Sequence, residues 1–366
     1  MTIRVVVVDD SSISRMVLRR ILEADGDIQV VGEATNGFEA LPKILEHKPN
    51  LVTMDIDMPG PSGLETIGRV MGTSPVPILV VTAERLGPDS DVGFRAIQSG
   101  ALDFMAKPSI GDEESMKMLR QHVRVLADVP VFLHMEERHD ASRTMRAGPI
   151  EEPPPFSLIA IAGGTGAPKS VATILEAIPP GISAPIVIVQ QMPAKFGAAF
   201  VKYLQGATAL RVRTVSATPH DCMPGEVIVG EPGAHVYFPR RGVVVSREGA
   251  PYAGALPSMT VMFRSIAETY GKDAVGVLLS GTGTDGLEGL AAMREAGALT
   301  IAESPDSAPV AELPAAALAS GAATRALQAQ MIASSLVSAM TDVGKKTTAP
   351  PSSDPAFAAE LDVRMR

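Results

Sequence analysis

Five polar residues in the first third of the chain have the side chains that phosphoryl transfer to a carboxylate requires. They are three carboxylates, one hydroxyl and one amine: Asp9, Asp10, Asp55, Thr82 and Lys107. Carboxylate oxygens suit Mg²⁺, which binds one or two of them together with phosphate oxygens and water. With Asp55 as the nucleophile, Mg²⁺ and Lys107 would neutralise the developing charge, and Thr82 would donate to the new phosphoryl group.

Each of these residues ends or follows a short apolar run that is typical of a buried strand. The predicted strands are Arg4–Val8, Gln29–Glu33, Leu51–Met54, Ile78–Val81 and Asp103–Ala106. Helical patterns alternate with them, beginning with residues 12–24, where Ser11 or Ser12 is the expected N-cap. This alternation predicts a parallel sheet, whose strands end at one edge, so the polar side chains should converge there. Any one of them alone would be an ordinary solvated residue.

The motifs around these residues resemble those of response-regulator receiver domains. The matching segments are Val8-Asp9-Asp10-Ser11, Met54-Asp55-Ile56-Asp57-Met58-Pro59, Val81-Thr82-Ala83 and Ala106-Lys107-Pro108. The resemblance implies a flavodoxin-like α/β domain over residues 1–125, in which Asp55 takes phosphate from a histidine kinase. It implies that Asp9 and Asp10 hold Mg²⁺ beside Asp55, and that Phe104 swings together with Thr82. It also implies a cis peptide at Lys107-Pro108.

A second series of strands and helices begins near residue 156. The predicted strands are Leu158–Ala162, Ile186–Gln190, Ala274–Ser280 and Ala298–Ala302. Residues 225–247 differ, because short β-rich runs there are separated by proline and glycine, so we expect antiparallel hairpins inserted into the α/β frame. Between the two halves, the proline-rich segment 126–155 is expected to be a linker. Residues 346–366 are expected to be a disordered tail.

Residues 156–345 resemble the effector domain of the chemotaxis protein-glutamate methylesterases. The matching patches are Leu158–Pro168, Val187–Pro193, Pro257-Ser258 and Ala274–Gly286. The resemblance implies an α/β methylesterase-like fold with a mostly parallel sheet. Members of this family hydrolyse methyl esters of chemoreceptor glutamates with a Ser-His-Asp triad, and some deamidate glutamine. Their unphosphorylated receiver domain covers the active site.

Two of the three triad positions carry residues that cannot perform the family's chemistry. By alignment of the motifs, Asp285 takes the position of the aspartate, Gly164 that of the serine and Gln191 that of the histidine. Glycine has no nucleophile, and the glutamine amide does not titrate near neutral pH, so it cannot act as a general base. We therefore expect an impaired site that acts by binding, although some residual catalysis can survive such losses.

Two alternatives to an impaired site remain open at this stage. One is an active methylesterase or deamidase with a rearranged site, in which His235 serves Thr165 or Ser258. The other is nucleotide binding, because Gly281-Thr282-Gly283-Thr284-Asp285-Gly286 satisfies a G-x-G-x-x-G pattern and Glu303 ends the next strand. The methylesterase-like loop accounts for the same glycines, and Thr282 stands where the family usually has methionine.

Composition excludes several other classes of protein. The chain has 366 residues, long enough for two domains, and a net charge of −9, which argues against a nucleic-acid-binding surface. The one cysteine, Cys222, excludes an internal disulfide and is expected to be a buried thiol. No apolar run is long enough to span a membrane, and the N-terminus does not have the form of a signal peptide. We expect a cytoplasmic monomer, whose partners are a histidine kinase and chemoreceptor helices.

Overall fold

A computed structural model describes residues 2–83, 91–131 and 157–341 of the chain. The chain divides into two compact units, Met1–Ile150 and Glu151–Arg366. Most of the predicted linker and the whole predicted tail lie outside the described residues. Each unit is an α/β structure with its own apolar core.

The first unit is a five-stranded parallel sheet with helices between its strands. Its strands are β1 Ile3–Val8, β2 Ile28–Ala34, β3 Leu51–Met54, β4 Ile78–Thr82 and β5 Asp103–Ala106. Its helices are α1 Ser12–Leu22, α2 Gly37–His47, α3 Gly63–Thr73, α4 Val92–Gln98 and α5 Glu113–Leu126. The strand order β2-β1-β3-β4-β5 is that of flavodoxin-like folds, which confirms the predicted class.

Local sequence explains why these elements form where they do. The four valines of β1 are almost entirely buried, as expected for a central parallel strand that is covered on both faces. Ser11 caps α1 by accepting from the Ser14 amide, and Ser62 forms a capping box with Glu65 at the start of α3. Each predicted strand lies within one residue of the observed bounds at either end. Packing continues past the predicted boundary at residue 125, since Ala127 and Val129 are buried.

The second unit combines a seven-stranded parallel sheet with a three-stranded antiparallel sheet. The parallel strands are β6 Leu158–Gly163, β7 Ile186–Gln190, β8 Arg211–Thr214, β10 Glu226–Val229, β13 Ala274–Leu278, β14 Leu299–Glu303 and β15 Arg325–Leu327. The antiparallel strands are β9 His220–Asp221, β11 His235–Arg240 and β12 Val243–Arg247. The helices are α6 Ala167–Glu176, α7 Gly197–Ala207, α8 Met259–Tyr270, α9 Leu287–Glu295, α10 Glu312–Ala319 and α11 Ala329–Thr341. The parallel order is β15-β14-β13-β6-β7-β10-β8.

One predicted hairpin strand belongs to the parallel sheet instead. Strand β10 was expected to pair antiparallel, but it pairs parallel with β7 on one side and β8 on the other. All four of its residues are buried, and the apolar run of its last three suits a central strand that is covered on both faces. The rest of the prediction for this region is confirmed, because β11 and β12 form an antiparallel pair that β9 extends.

Two smaller expectations also need correction. The cis peptide found among the described residues is Leu256-Pro257, not Lys107-Pro108. Cys222 is only partly buried, although its surroundings still raise the pKa of its thiol to about 12, chiefly through desolvation. A thiol with so high a pKa is a weak nucleophile near neutral pH.

In the described ranges, no helix is both long and apolar enough to cross a bilayer.

Candidate phosphorylation and effector sites

The predicted phosphorylation residues converge at the carboxyl edge of four neighbouring strands. Asp9 follows β1, Asp55 follows β3, Thr82 ends β4 and Lys107 follows β5. The Lys107 Nζ atom lies 2.7 Å from Asp9 Oδ2 and 2.6 Å from Asp55 Oδ2. Backbone amides donate to the other carboxylate oxygens. The Ser11 amide donates to Asp9 Oδ1, and the Ile56 amide donates to Asp55 Oδ1. Asp9, Asp55 and Thr82 are all buried.

The charges in this site are balanced only in part. Desolvation raises the pKa of Asp9, although Lys107 lowers it through a hydrogen bond and its charge. Burial alone would lower the pKa of Lys107, but the carboxylates of Asp55 and Asp9 outweigh this effect and raise it. Lys107 therefore stays protonated between two buried carboxylates, where its charge can also neutralise a phosphoryl group.

The acidic residues of this site fit a hard divalent cation. Asp9, Asp10 and Asp55 can each offer one carboxylate oxygen, and these oxygens lie within 4.8 Å of one another. Asp10 is exposed, so a cation held here would keep contact with solvent. An all-oxygen, partly hydrated set of ligands is the coordination that Mg²⁺ prefers. These residues therefore fit the predicted metal.

Phe104 packs on helix α4 near the predicted phosphoryl site. Its ring makes an edge-to-face contact with Phe94, with 4.9 Å between the ring centroids. A Cβ atom on Gly93 would lie 2.5 Å from Phe104 Cδ2, so only glycine leaves room for the ring in this position. On the neighbouring strand β4, Phe104 pairs with Val80, two residues before Thr82, whose own partner is Ala106.

In the second unit, the predicted effector residues follow three neighbouring strands. Gly164 follows β6, Gln191 follows β7, and Asp285 lies in the loop after β13. Gly163 and Gln190 are register partners across β6 and β7, which brings Gly164 and Gln191 side by side. The backbone amide of Gln191 donates to Gly163 O at 3.0 Å, and the backbone amide of Gly164 donates to Ser280 O at 2.9 Å. The sequence-predicted positions therefore form one site.

Asp285 is surrounded by hydrogen-bond donors. Gln191 Nε2 donates to its Oδ2 atom at 2.7 Å, and Ser258 Oγ donates to its Oδ1 atom at 2.7 Å. The backbone amides of Met259 and Thr260, in the first turn of α8, donate to the same carboxylate. A carboxylate at a helix N-terminus is favoured both by free amides and by the helix dipole. Asp285 thus anchors α8 and holds Gln191 in place.

Gly164 leaves space in front of Gln191. A Cβ atom on Gly164 would lie 3.5 Å from Gly281 Cα, 3.6 Å from Gln191 Oε1 and 4.0 Å from Ser280 O. These are ordinary van der Waals distances, so a Cβ atom would fit here without displacing the backbone. Contacts around the Cβ position therefore do not by themselves require glycine at residue 164.

The contacts of Ser258 and His235 argue against a rearranged triad that uses them. Ser258 is fully buried and caps α8, while its backbone amide donates to His235 Nδ1 at 3.2 Å. An amide can only donate, so His235 Nδ1 accepts, and Nε2 carries the proton that it gives to Ala250 O at 3.0 Å. Both ring nitrogens are therefore engaged with backbone groups, as expected of a histidine with a structural role.

A rearranged site with Thr165 as the nucleophile, and nucleotide binding, also gain no support from the contacts. Within the described ranges, no hydrogen bond joins the Thr165 hydroxyl to a histidine ring. Glu303, the residue that a nucleotide ribose would require, is 2% exposed. Its carboxylate accepts from Ser170 Oγ at 2.6 Å and from the Ser280 amide at 2.9 Å. Desolvation raises the pKa of Glu303.

Sequence reasoning missed the buried polar network that supports the loop after β6. Ser280 Oγ donates to Thr165 O at 2.8 Å and accepts from the Val310 amide at 2.8 Å. Glu303 in turn holds the Ser280 amide. The signal was present in the sequence, since both residues are polar and end apolar strand segments, but their partners are far away in the chain.

Comparisons with known proteins agree with this architecture. The CheB methylesterase model matches residues 159–336, and the response regulator receiver domain model matches residues 5–120. A protein-glutamate methylesterase/protein-glutamine glutaminase of Syntrophus aciditrophicus is 34% identical over 348 residues, covering 92% of this chain and 97% of that protein. Its counterpart in Nitrosospira multiformis is 32% identical over 350 residues, covering 94% and 98%.

A crystal structure of the Thermotoga maritima CheB methylesterase catalytic domain aligns with 50% of this chain and 97% of its own. That alignment has 25% sequence identity and a TM-score of 0.46. Identity above 30% extends across nine-tenths of the chain in the two full-length relatives. The chain therefore belongs to the CheB methylesterase family, and it carries an N-terminal response regulator receiver domain.

Proposed function

We propose that this protein is a cytoplasmic, phosphorylation-controlled binding protein. Its effector domain would hold chemoreceptor helices without hydrolysing the methyl esters or amides of their side chains. One observation carries the proposal: the side chain that lies between Asp285 and Gly164, and donates to Asp285, is the Gln191 amide. An amide cannot take a proton from a nucleophile near neutral pH, and Gly164 offers no nucleophile. Asp285 and its hydrogen bonds to α8 meanwhile keep the site folded.

Control would come from the first unit. A histidine kinase supplies the phosphoryl group: the phosphorus–nitrogen bond of its phosphohistidine breaks as an Asp55 oxygen bonds to phosphorus, and the histidine retains the electron pair. Asp9, Asp10 and Asp55 would hold Mg²⁺, which supplies charge neutralisation at the phosphoryl oxygens. Lys107 already lies 2.6 Å from Asp55 and adds a second positive charge. Thr82 would donate its hydroxyl to the bound phosphoryl group.

Binding and turnover of the same ligand test the proposal together. Chemoreceptor cytoplasmic fragments in methylated and amidated forms would be mixed with the full-length protein, with and without a small-molecule phosphodonor. We expect saturable binding that strengthens with the phosphodonor, and release of methanol and ammonia equal to the no-enzyme blank. Turnover above the blank would overturn the proposal. Absence of binding in both phosphorylation states would also overturn it.

A further inference from the structure

The Gln191 side chain has a defined orientation because its partner can only accept hydrogen bonds. Asp285 receives hydrogen bonds from Ser258 Oγ and from two backbone amides, as expected of an ionised carboxylate. The atom of Gln191 that lies 2.7 Å from Asp285 must therefore be the nitrogen, Nε2. This assignment leaves the oxygen, Oε1, on the side of Gly164, 3.6 Å from the position of a Cβ there.

The wall of the effector site opposite Gly164 therefore presents a hydrogen-bond acceptor, Gln191 Oε1. The neighbouring Gln190 is buried and lies outside the reach of a ligand. Its Nε2 atom donates to Gly164 O at 2.7 Å, whereas its buried Oε1 atom has no partner among the described atoms. A ligand N–H group can donate to Gln191 Oε1, whereas a ligand without a donor that displaces water from this acceptor would lose about 1–3 kcal/mol.

The three chemical forms of a receptor glutamate position differ in what they can offer to Gln191 Oε1. A glutamine carboxamide has two N–H donors, a glutamyl methyl ester has none, and a glutamate carboxylate has none and is negatively charged. The carboxylate would also approach the negative charge of Asp285, which lies directly behind the Gln191 amide. A histidine in place of Gln191 could lose this bias, because a protonated imidazole donates at both nitrogens.

We propose that the effector site distinguishes the chemical forms of a receptor side chain and prefers glutamine to glutamyl methyl ester and glutamate. This preference rests on the proposed binding function, because it names the group that such a site holds. The recognition element is the fixed acceptor Oε1 of Gln191 beside the space at Gly164. The protein would then report which receptor positions are still amidated.

Binding to three forms of one receptor fragment tests the preference directly. The fragment would carry glutamine, glutamyl methyl ester or glutamate at its modification positions, and affinity would be measured for the phosphodonor-treated full-length protein. We expect glutamine to bind most tightly and glutamate about tenfold more weakly. A tenfold difference is the effect expected when the hydrogen bond from the ligand to Gln191 Oε1 is lost and a carboxylate faces this oxygen instead. Equal affinities, or tighter binding of glutamate, would overturn the preference.

A variant that adds a positive charge at position 191 sharpens the test. In Gln191→Lys the ammonium can donate both to Asp285 and to a ligand carboxylate, so glutamate should become the preferred form. Gln330→Lys adds the same charge at an exposed position of α11 and should keep the natural order. If Gln191→Lys does not fold by circular dichroism, Gln191→Met removes the acceptor without adding charge and should abolish the preference.

The outcomes separate this inference from the proposed function. Binding of all three forms with one affinity overturns the preference alone. Failure of every form to bind, or release of ammonia from the glutamine form, overturns the proposed function and the preference with it.

Discussion

Gly164 and Gln191 face each other at the ends of neighbouring strands, with 3.6 Å between Gln191 Oε1 and the position of a Cβ on Gly164. This spacing would bring the hydroxyl of a residue with a short side chain at 164 within reach of the residue at 191. The amide of Gln191 already donates to Asp285 at 2.7 Å. The three positions are therefore close enough together for the residues of a Ser-His-Asp triad, although glycine carries no hydroxyl and glutamine no titratable ring.

The double substitution Gly164→Ser/Gln191→His should create ester hydrolysis. A serine fits, since its Cβ would meet neighbours at 3.5 Å or more, and a histidine can donate to the same oxygen of Asp285. Methanol release from methylated receptor fragments measures the gain, which should exceed the natural protein by at least about a hundredfold.

The two single variants are the matched controls for this experiment. Gly164→Ser lacks a base and Gln191→His lacks a nucleophile, so each should stay close to the natural protein. A double variant that is folded but inactive would show that more than these two side chains has been lost from the site.

Phosphorylation should depend on Asp55 and on a divalent cation. We expect Asp55→Asn to abolish incorporation of phosphate from a small-molecule donor, because an amide cannot form the acyl phosphate. Removal of Mg²⁺ with a chelator should have the same effect on the natural protein, since Asp9, Asp10 and Asp55 leave a negative charge excess beside Lys107. Intact-protein mass spectrometry detects the added phosphoryl group.

Asp57→Asn is the control for position 55, because Asp57 is exposed and two residues away. This variant should be phosphorylated like the natural protein. Phosphate uptake by Asp55→Asn to the natural level would place the acceptor at another residue.

Substitution of Gly93 should disturb the packing of Phe104. In Gly93→Ala the new Cβ would lie 2.5–2.6 Å from two carbons of the Phe104 ring, so the ring or helix α4 must move. Overpacking of this kind costs about 1–3 kcal/mol of the free energy of unfolding. Urea unfolding followed by circular dichroism gives this value.

Gly68→Ala in helix α3 provides the opposite expectation with the same chemical change. No atom lies within 4 Å of a Cβ at Gly68, and alanine favours a helix over glycine by about 1 kcal/mol. Gly68→Ala should therefore stabilise the protein. A stabilising Gly93→Ala would mean that Phe104 does not occupy this position in solution.

Stability of the effector unit should carry a pH dependence that originates in Glu303. Desolvation raises the pKa of this carboxyl in the folded state above its ordinary value of 4.5. The folded state therefore favours the protonated form. The stabilising contribution of Glu303 is complete below pH 4.5 and is lost as pH rises through the folded pKa.

The variant Glu303→Gln isolates this contribution, because its amide is neutral at every pH and can still bond to the Ser170 hydroxyl and the Ser280 amide. The free energy of unfolding of the natural protein minus that of the variant should fall as pH increases from 4.5. A difference that stays constant or increases over this range would contradict the burial of an ionisable Glu303.

Sequence alone determined the elements that local patterns encode. The receiver strands were predicted within one residue because each is a short apolar run bounded by polar residues. Convergence of Asp9, Asp55, Thr82 and Lys107 followed from the rule that parallel strands end at one edge. The identities of Gly164 and Gln191 were read directly from motif alignment, and the strand order places them together as expected.

Tertiary structure decided which distant groups meet and which hydrogen bonds they make. The apolar run of β10 did not reveal its partners, because a buried strand has no periodicity that distinguishes a hairpin from a parallel sheet. Likewise, no local pattern shows that His235 is held by backbone groups or that Glu303 is buried under Ser280. The orientation of the Gln191 amide depends on Asp285, which is 94 residues away in the chain. Such contacts exist only once the strands are ordered, which explains why the residues of the site could be predicted but the directions of their hydrogen bonds could not.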